Sequence, residues 1–319
     1  MERENTSEPY VLQKLARLLG TVIKNNSLVI PEKFGRGYCT GFVFNEQIRM
    51  MIMNYELHED IIVENADVNT PAETILFKFR SVFPETRSLP NDDVLKVIPS
   101  VLIATKSLNT DVAIPIHTNT ATINIEVDAS YLNGLFDSSA KSPVLQSLLQ
   151  NRQPLLFEQL IYPSLQKIAD EILSESVNET FKLFFLRVKT EELICRLLME
   201  LDQRDEKRIY DLNPKDIHTI YKVREDILEH PETPPVITNL ALYAGMSPTK
   251  LKRIFKQIFG NSIFNYYQQF RMKEAAILLK NGNLSVSDVG YQLGFTNLSH
   301  FSRVFKEHMG MKPKQYSRS

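Results

Sequence analysis

The chain has 319 residues, 43% of them hydrophobic, and its 37 Lys and Arg nearly balance 38 Asp and Glu. That length suits about two ordinary domains with a core each, which excludes a disordered chain. No run approaches the roughly 20 uninterrupted apolar residues of a membrane span, and the polar start MERENTSEP is unlike a signal peptide, so a cytoplasmic protein without membrane attachment is expected.

From about Tyr38 to Asp128 the chain is rich in β-branched and aromatic residues that alternate with polar ones, as half-buried strands require. In ETILFKFRSVF, Ile75, Phe77, Phe79 and Phe83 fall on one face and Lys78 and Arg80 on the other. TGFVFN, QIRMMIMNYEL, DIIVE, DVAIPIH and ATINIEVD are further expected strands, and so many short strands predict a barrel or sandwich. From Ala129 the spacing turns helical through YLNGLF, SPVLQSLLQN and LIYPSLQKIADEIL, and then over a long run from Asn178 to about Gln203. In that run Phe181, Phe184, Phe185, Val188, Leu193, Leu197, Leu198 and Leu201 form an apolar stripe, fit equally for a core helix or a dimer interface. Cys39 and Cys195 are far apart and build neither a disulfide framework nor a metal cluster; both are expected as buried thiols.

A polar stretch closed by Pro214 follows. The expected organisation is thus α+β: a mostly-β barrel or sandwich domain with a helical end over residues 1–205, a linker over 206–216, and an all-α domain over 217–319. Charge is divided the same way. Residues 217–319 hold 14 Lys and Arg against 7 Asp and Glu, a net of +7, which leaves −8 on the rest. A basic module suits a polyanionic partner.

That module contains an internal repeat. LALYAGMSPTKLKRIFKQIFG, from Leu240, returns as VGYQLGFTNLSHFSRVFKEHMG, from Val289. Leu251, Phe255, Lys256 and Gly260 recur 50 residues later as Phe301, Phe305, Lys306 and Gly310, whereas Gly245 recurs as Gly294 after 49, so the second turn holds one extra residue. Each copy has a short apolar helix, a Gly at the turn, a Ser or Asn able to cap, and a second helix closed by Gly; these are the parts of a helix-turn-helix. In such a motif the second helix enters the major groove of double-stranded DNA, so its exposed side chains meet base edges and phosphates. The exposed positions are Thr249, Lys252, Arg253 and Lys256, then Ser299, His300, Ser302, Arg303 and Lys306. Between the copies, SIFNYYQQFRMKEAAILLKNGN reads as one connecting helix. About 18 residues at 1.5 Å each span roughly 27 Å, near the 34 Å that separates successive major-groove turns.

On these residues the C-terminal region resembles the arabinose-regulator (AraC/XylS) family, whose signature is similar to SVSDVGYQLGFTNLSHFSRVFKEHMGMKPKQYSRS here; Gly290, Gly294, Phe295, Phe301, Arg303, Phe305, Lys306, Gly310, Pro313 and Tyr316 carry it. The resemblance implies base-facing positions at Thr249, Lys252, Arg253, Leu298, Ser299, His300 and Arg303, with Leu298 an apolar departure suited to a thymine methyl or to no contact. It also implies a transcription regulator, more often an activator, working with RNA polymerase and as a homodimer. The first half is more weakly similar to siderophore-uptake regulators of the pyochelin and yersiniabactin type, in GRGYCTGFVFNEQIRMMIMNYELHEDI and PLLFEQLIYPSLQKIADEIL, which implies a sensor for a small-molecule effector. Arg49, Met51, Met53 and Tyr55, alternating on one strand face, are the candidate pocket residues, with ordinary strand core as the competing reading. A first domain that only dimerises or binds a protein is the alternative.

No catalytic residue, metal or cofactor is expected. The six histidines (58, 117, 218, 230, 300 and 308) form no close-spaced ligand set, and Gly35-Arg36-Gly37 is not a phosphate loop.

Overall fold

Alternating strands with one apolar face cover it with helices, and this decides the first unit. The structure, a computed structural model, describes residues 8–59, 61–63, 73–83, 99–105, 114–116, 119–136, 141–204, 209–280 and 282–318. The chain divides into two compact units, Met1–Asp211 and Leu212–Ser319.

In the first unit an antiparallel sheet runs in the order β1 (Ser27–Val29), β2 (Gly35–Val43), β3 (Ile48–Leu57), β8 (Asn119–Asp128), β5 (Thr74–Arg80), β6 (Ser100–Thr105), β9 (Leu156–Leu160). β4 (Ile61–Val63) and β7 (Ile114–Ile116) form a separate pair. Among the described residues no pairing joins β1 to β9, so the ladder is an open sheet there; of the expected barrel or sandwich, barrel closure is not seen. On one face Ile75, Phe77 and Phe79 of β5 stand beside Ile123 and Ile125 of β8 and Met50 and Ile52 of β3, all buried. Over them lie α2 (Ala129–Gly134), α3 (Pro143–Gln150), α4 (Pro163–Ser174) and α5 (Glu179–Asp202). Each large apolar side chain so buried contributes roughly 1.5–3 kcal/mol.

The other face is covered at the β1–β2–β3 end by α1 (Tyr10–Leu19), which the sequence reading did not identify. Its Leu12, Leu15, Ala16 and Leu19 meet Leu28, Cys39, Met51 and Tyr55. β6 and β9 were also unforeseen. α5 corrects the expected apolar stripe. Leu193, Leu197, Leu198 and Leu201 are core, whereas Phe181, Phe184 and Val188 are 62%, 69% and 44% exposed. Phe184 and Leu193 are nine residues apart, two and a half turns, and so point to opposite sides of the helix. Of the two thiols, Cys39 is buried, which pushes its pKa up to about 12, but Cys195 is exposed on α5, against the expectation of two buried ones. His117 and residues 205–208, the last within and beside the expected linker, lie outside the described residues.

The second unit is helical throughout its described residues: α6 (Pro214–Glu229), α7 (Ile237–Tyr243), α8 (Pro248–Phe259), α9 (Ile263–Lys280), α10 (Val286–Gln292), α11 (Leu298–Met309) and α12 (Pro313–Tyr316). Asn213 caps α6 by accepting from the Asp216 amide at 2.7 Å, and Pro214 occupies the first helical position, where its missing N–H is no loss. Residues 214–216, expected to close the linker, are therefore the first turn of α6. α9 is the connecting helix, 18 residues long as its spacing predicts.

Candidate nucleic-acid interface

Two helix pairs, α7–α8 and α10–α11, are built by the same local rules. Gly245 and Gly294 turn the chain at φ of 60° and 77°, a region that favours glycine. Ser247 then caps α8 by accepting from the Lys250 amide, and Asn297 caps α11 by accepting from the amides of Ser299 and His300. Gly260 and Gly310, also at positive φ, end the two helices, and their amides bond the carbonyls of Lys256 and Lys306.

α8 buries Leu251, Ile254, Phe255, Ile258 and Phe259, which leaves Thr249, Lys252, Arg253 and Lys256 exposed on its other side. α11 buries Phe301, Val304 and Phe305 and exposes Ser299, His300, Arg303 and Lys306; Ser302 is half-buried. The four positions in each row share one helix, and α9 joins the two pairs. Leu298 differs. It is half-buried at the first position of α11, and its Cδ2 would come within 2.8 Å of a Cβ on Gly290. Leu298 thus packs its own turn, which also explains why position 290 has no side chain. The near ion pair of Arg303 with Glu307, 3.9 Å between exposed groups, is too long and too solvated to restrain the guanidinium.

α9 holds both pairs. On one side Tyr266 meets Phe255 edge-to-face and Phe259 at a tilt, ring centroids 5.4 and 5.0 Å apart. On the other, Met272, Ala275, Ala276 and Leu279 pack with Val289, Leu293, Phe295, Phe301 and Phe305. Arg271, 4% exposed, lies 4.9 Å from the Tyr267 ring and 3.9 Å from that of Phe295, and its guanidinium donates to the Leu293 carbonyl at the end of α10. Tyr267 in turn donates to the Pro231 carbonyl at 2.8 Å. Sequence reasoning missed this clamp; an arginine among Tyr267, Phe270 and Leu278 on an apolar helix was the available signal. Lys250, on the edge of α8, is taken up by Asp216 of α6 at 2.9 Å.

In the first unit, Arg49, Met51, Met53 and Tyr55 do share a strand face. Met51 and Tyr55 are buried against α1, Met53 packs on the same cluster, and Arg49 is half-buried. The structure therefore gives Met51, Met53 and Tyr55 a core role at that end of the sheet. A cleft of 320 Å³ lined by Thr40, Phe42, Ile52, Ile172 and Phe185 opens on the opposite face and includes none of the four.

Helical pairs built in this way define a DNA-binding module, and comparison with known proteins gives its type. Residues 240–319 match the family model described as "Helix-turn-helix domain". An uncharacterised transcriptional regulator of Haemophilus influenzae is 36% identical over 93 residues, 29% of this chain and 31% of that protein. The arabinose operon regulatory protein of Escherichia coli is 31% identical over 80 residues, 25% of this chain and 27% of its own length. A solved transcriptional regulator of Chromobacterium violaceum with an AraC-type DNA-binding domain is 26% identical and covers 33% of this chain and 95% of its own, with a TM-score of 0.31. The chain thus spans less than a third of the two curated relatives. The C-terminal segment matches a helix-turn-helix domain, and the curated relatives that share it are transcription regulators, not enzymes. None of these similarities speaks for the siderophore-type resemblance of the first half. No described helix is long and apolar enough to cross a membrane.

Proposed function

We propose that the chain is a sequence-specific DNA-binding transcription regulator, an activator that acts in the cytoplasm with RNA polymerase, as a homodimer, under control of a small effector bound by its first unit. The observation that carries this is the pair of exposed rows on α8 and α11, each backed by its own aromatic core and both fixed to α9. Arg253 and Arg303 are the base readers, with Thr249, Lys252, Ser299 and His300 beside them, and Lys256 and Lys306 neutralise phosphates. The net of +7 on residues 217–319 supplies the sequence-independent attraction.

Titration of selected and random duplexes at two salt concentrations tests this. Arg253→Ala and Arg303→Ala should each relax preference at one base position by about 1–3 kcal/mol. Lys306→Ala should weaken binding to all sequences alike and lower the salt slope by about one. Unchanged selectivity in both arginine variants would sink the assignment.

The ridge of Phe181, Phe184 and Val188 supports the homodimer, because exposed apolar side chains in a row suit an isologous contact. It equally supports a second reading in which the first unit only dimerises. Sedimentation of Phe184→Glu at concentrations where wild type is dimeric decides the contact. Leu198→Glu, a core change, should unfold the unit instead.

A further inference from the structure

The face of the sheet opposite the helices changes character along its width. Next to α1 it is apolar. Across β8, β5, β6 and β9 it is polar: one row places Asn124, Lys78, Leu102 and Glu158 side by side, and the next places Thr122, Arg80, Ser100 and Leu160. Glu158, 1% exposed, is taken up by Arg80 at 2.5 Å, and Arg80 also donates to the Ser100 hydroxyl. Lys78 has no such partner. It is partly buried, and no ion pair or hydrogen bond is seen between it and a described side chain.

Three further polar atoms on this face are buried without a hydrogen bond: the Thr122 hydroxyl, the Asn124 side-chain oxygen and the Arg80 Nε. Thr122 is 6% exposed. A partly buried cation without a counter-ion among the described residues, and an orphaned hydroxyl, amide oxygen and guanidinium Nε–H, each oppose folding. Here they adjoin in register on one face, so a single bound molecule would satisfy them together. Burial, and then the neighbouring Arg80 charge, press Lys78 toward the neutral form, a pressure that an anion would relieve.

We infer that this face, centred on Lys78 and flanked by Thr122, Asn124 and Arg80, binds a small organic anion whose carboxylate or similar group meets the Lys78 ammonium. The inference rests on the proposal that the first unit holds an effector, and gives that effector its charge. It also moves the site along the sheet, from Met51, Met53 and Tyr55, which α1 covers, to the polar rows of β8 and β5.

The test uses the full chain. Lys78→Met keeps the aliphatic length and removes the buried charge, so without ligand it should melt higher than wild type, as happens where a residue is kept for binding at the expense of stability. Acetate, benzoate, citrate and inorganic phosphate serve as probes, with benzamide as a neutral match for benzoate. At saturation at least one anion should raise the wild-type melting point by about 5 °C. Lys78→Met should lack that response. A variant that melts at or below wild type, a wild type indifferent to every anion, a response equal in the variant, or equal stabilisation by benzamide overturns the inference. Duplex binding by the same samples separates the two proposals. Retained DNA binding with no anion response removes the anion site and leaves the regulator standing, and a response to benzamide alone keeps a small effector while removing its charge.

Discussion

The two helix-turn-helix copies have nearly the same framework, yet they are held in place differently. The first pair rests on a cluster of edge-on and tilted rings, Tyr221, Phe255, Phe259 and Tyr266, and its turn glycine has open space around it. The second pair is wedged. A Cβ on Gly294 would come within 2.3 Å of the Glu232 carbonyl oxygen, the Arg271 guanidinium holds the end of α10, and Leu298 fills the space over Gly290. Exposed charge follows the opposite trend, with Lys252, Arg253 and Lys256 on α8 against Arg303 and Lys306 beside Ser299 and His300 on α11. A helix that presents mainly long, flexible cations tolerates some play, whereas one that also presents short polar side chains needs its backbone fixed more closely for those groups to reach a partner.

The most direct way to break this contrast is to place a methyl group on the two turn glycines. Gly294→Ala should cost about 4 kcal/mol or prevent the second pair from forming, because the overlap is with backbone and adds to an unfavourable φ; Gly245→Ala should cost about 1 kcal/mol, for the φ alone. Urea midpoints followed by circular dichroism compare them, and equal losses would show that the second turn is not wedged. Arg271→Met should follow at about 3 kcal/mol, since it strands a buried carbonyl and removes two ring contacts, and hydrogen exchange should show the loss concentrated in α10 and α11.

Glu274 of α9 offers a change that belongs to neither copy alone. It is 5% exposed, one of its oxygens has no hydrogen-bond partner, and burial raises its pKa to about 7. A carboxyl whose pKa is raised on folding favours the folded state most below its unfolded value of 4.5, and that contribution is lost as pH rises through about 7. Glu274→Gln should therefore match wild type near pH 4 and exceed it by about 2 kcal/mol near pH 8 in thermal melts. An effect as small as that of Gly245→Ala, about 1 kcal/mol, is expected of Gly290→Ala, because the end of the Leu298 side chain can move aside. Leu298→Ala should rescue it in a double-mutant cycle, and failure of that rescue would show that Leu298 is not what crowds position 290.

What was legible in the sequence follows from the range of the forces involved. Turn glycines, caps, helix periodicity and the length of α9 are set within a few residues, and the repeat showed each of them twice. α1 had a local signal too, since Leu12, Leu15, Ala16 and Leu19 recur at helical spacing between Pro9 and Gly20. The strand β9 was hidden because LLFEQL is a short apolar run that suits either state. The clamp made by Arg271, the backbone wedge against Gly294 and the burial of Lys78 were illegible for another reason. What each does depends on a neighbour far off in sequence, Leu293, Glu232 or Thr122, and an arginine or lysine in isolation reads as a solvated side chain. The α5 stripe misled because its apolar residues were counted together although they lie on two sides of the helix.

α9 is the wall of two cores at once, since Tyr266 belongs to one aromatic cluster and Leu279 to the other. A wall shared in this way acts like the beam of a calliper. Neither jaw can slide or melt without removing the surface on which the other is mounted, so the interval between the two reading helices is a property of the folded domain and is fixed before any DNA arrives.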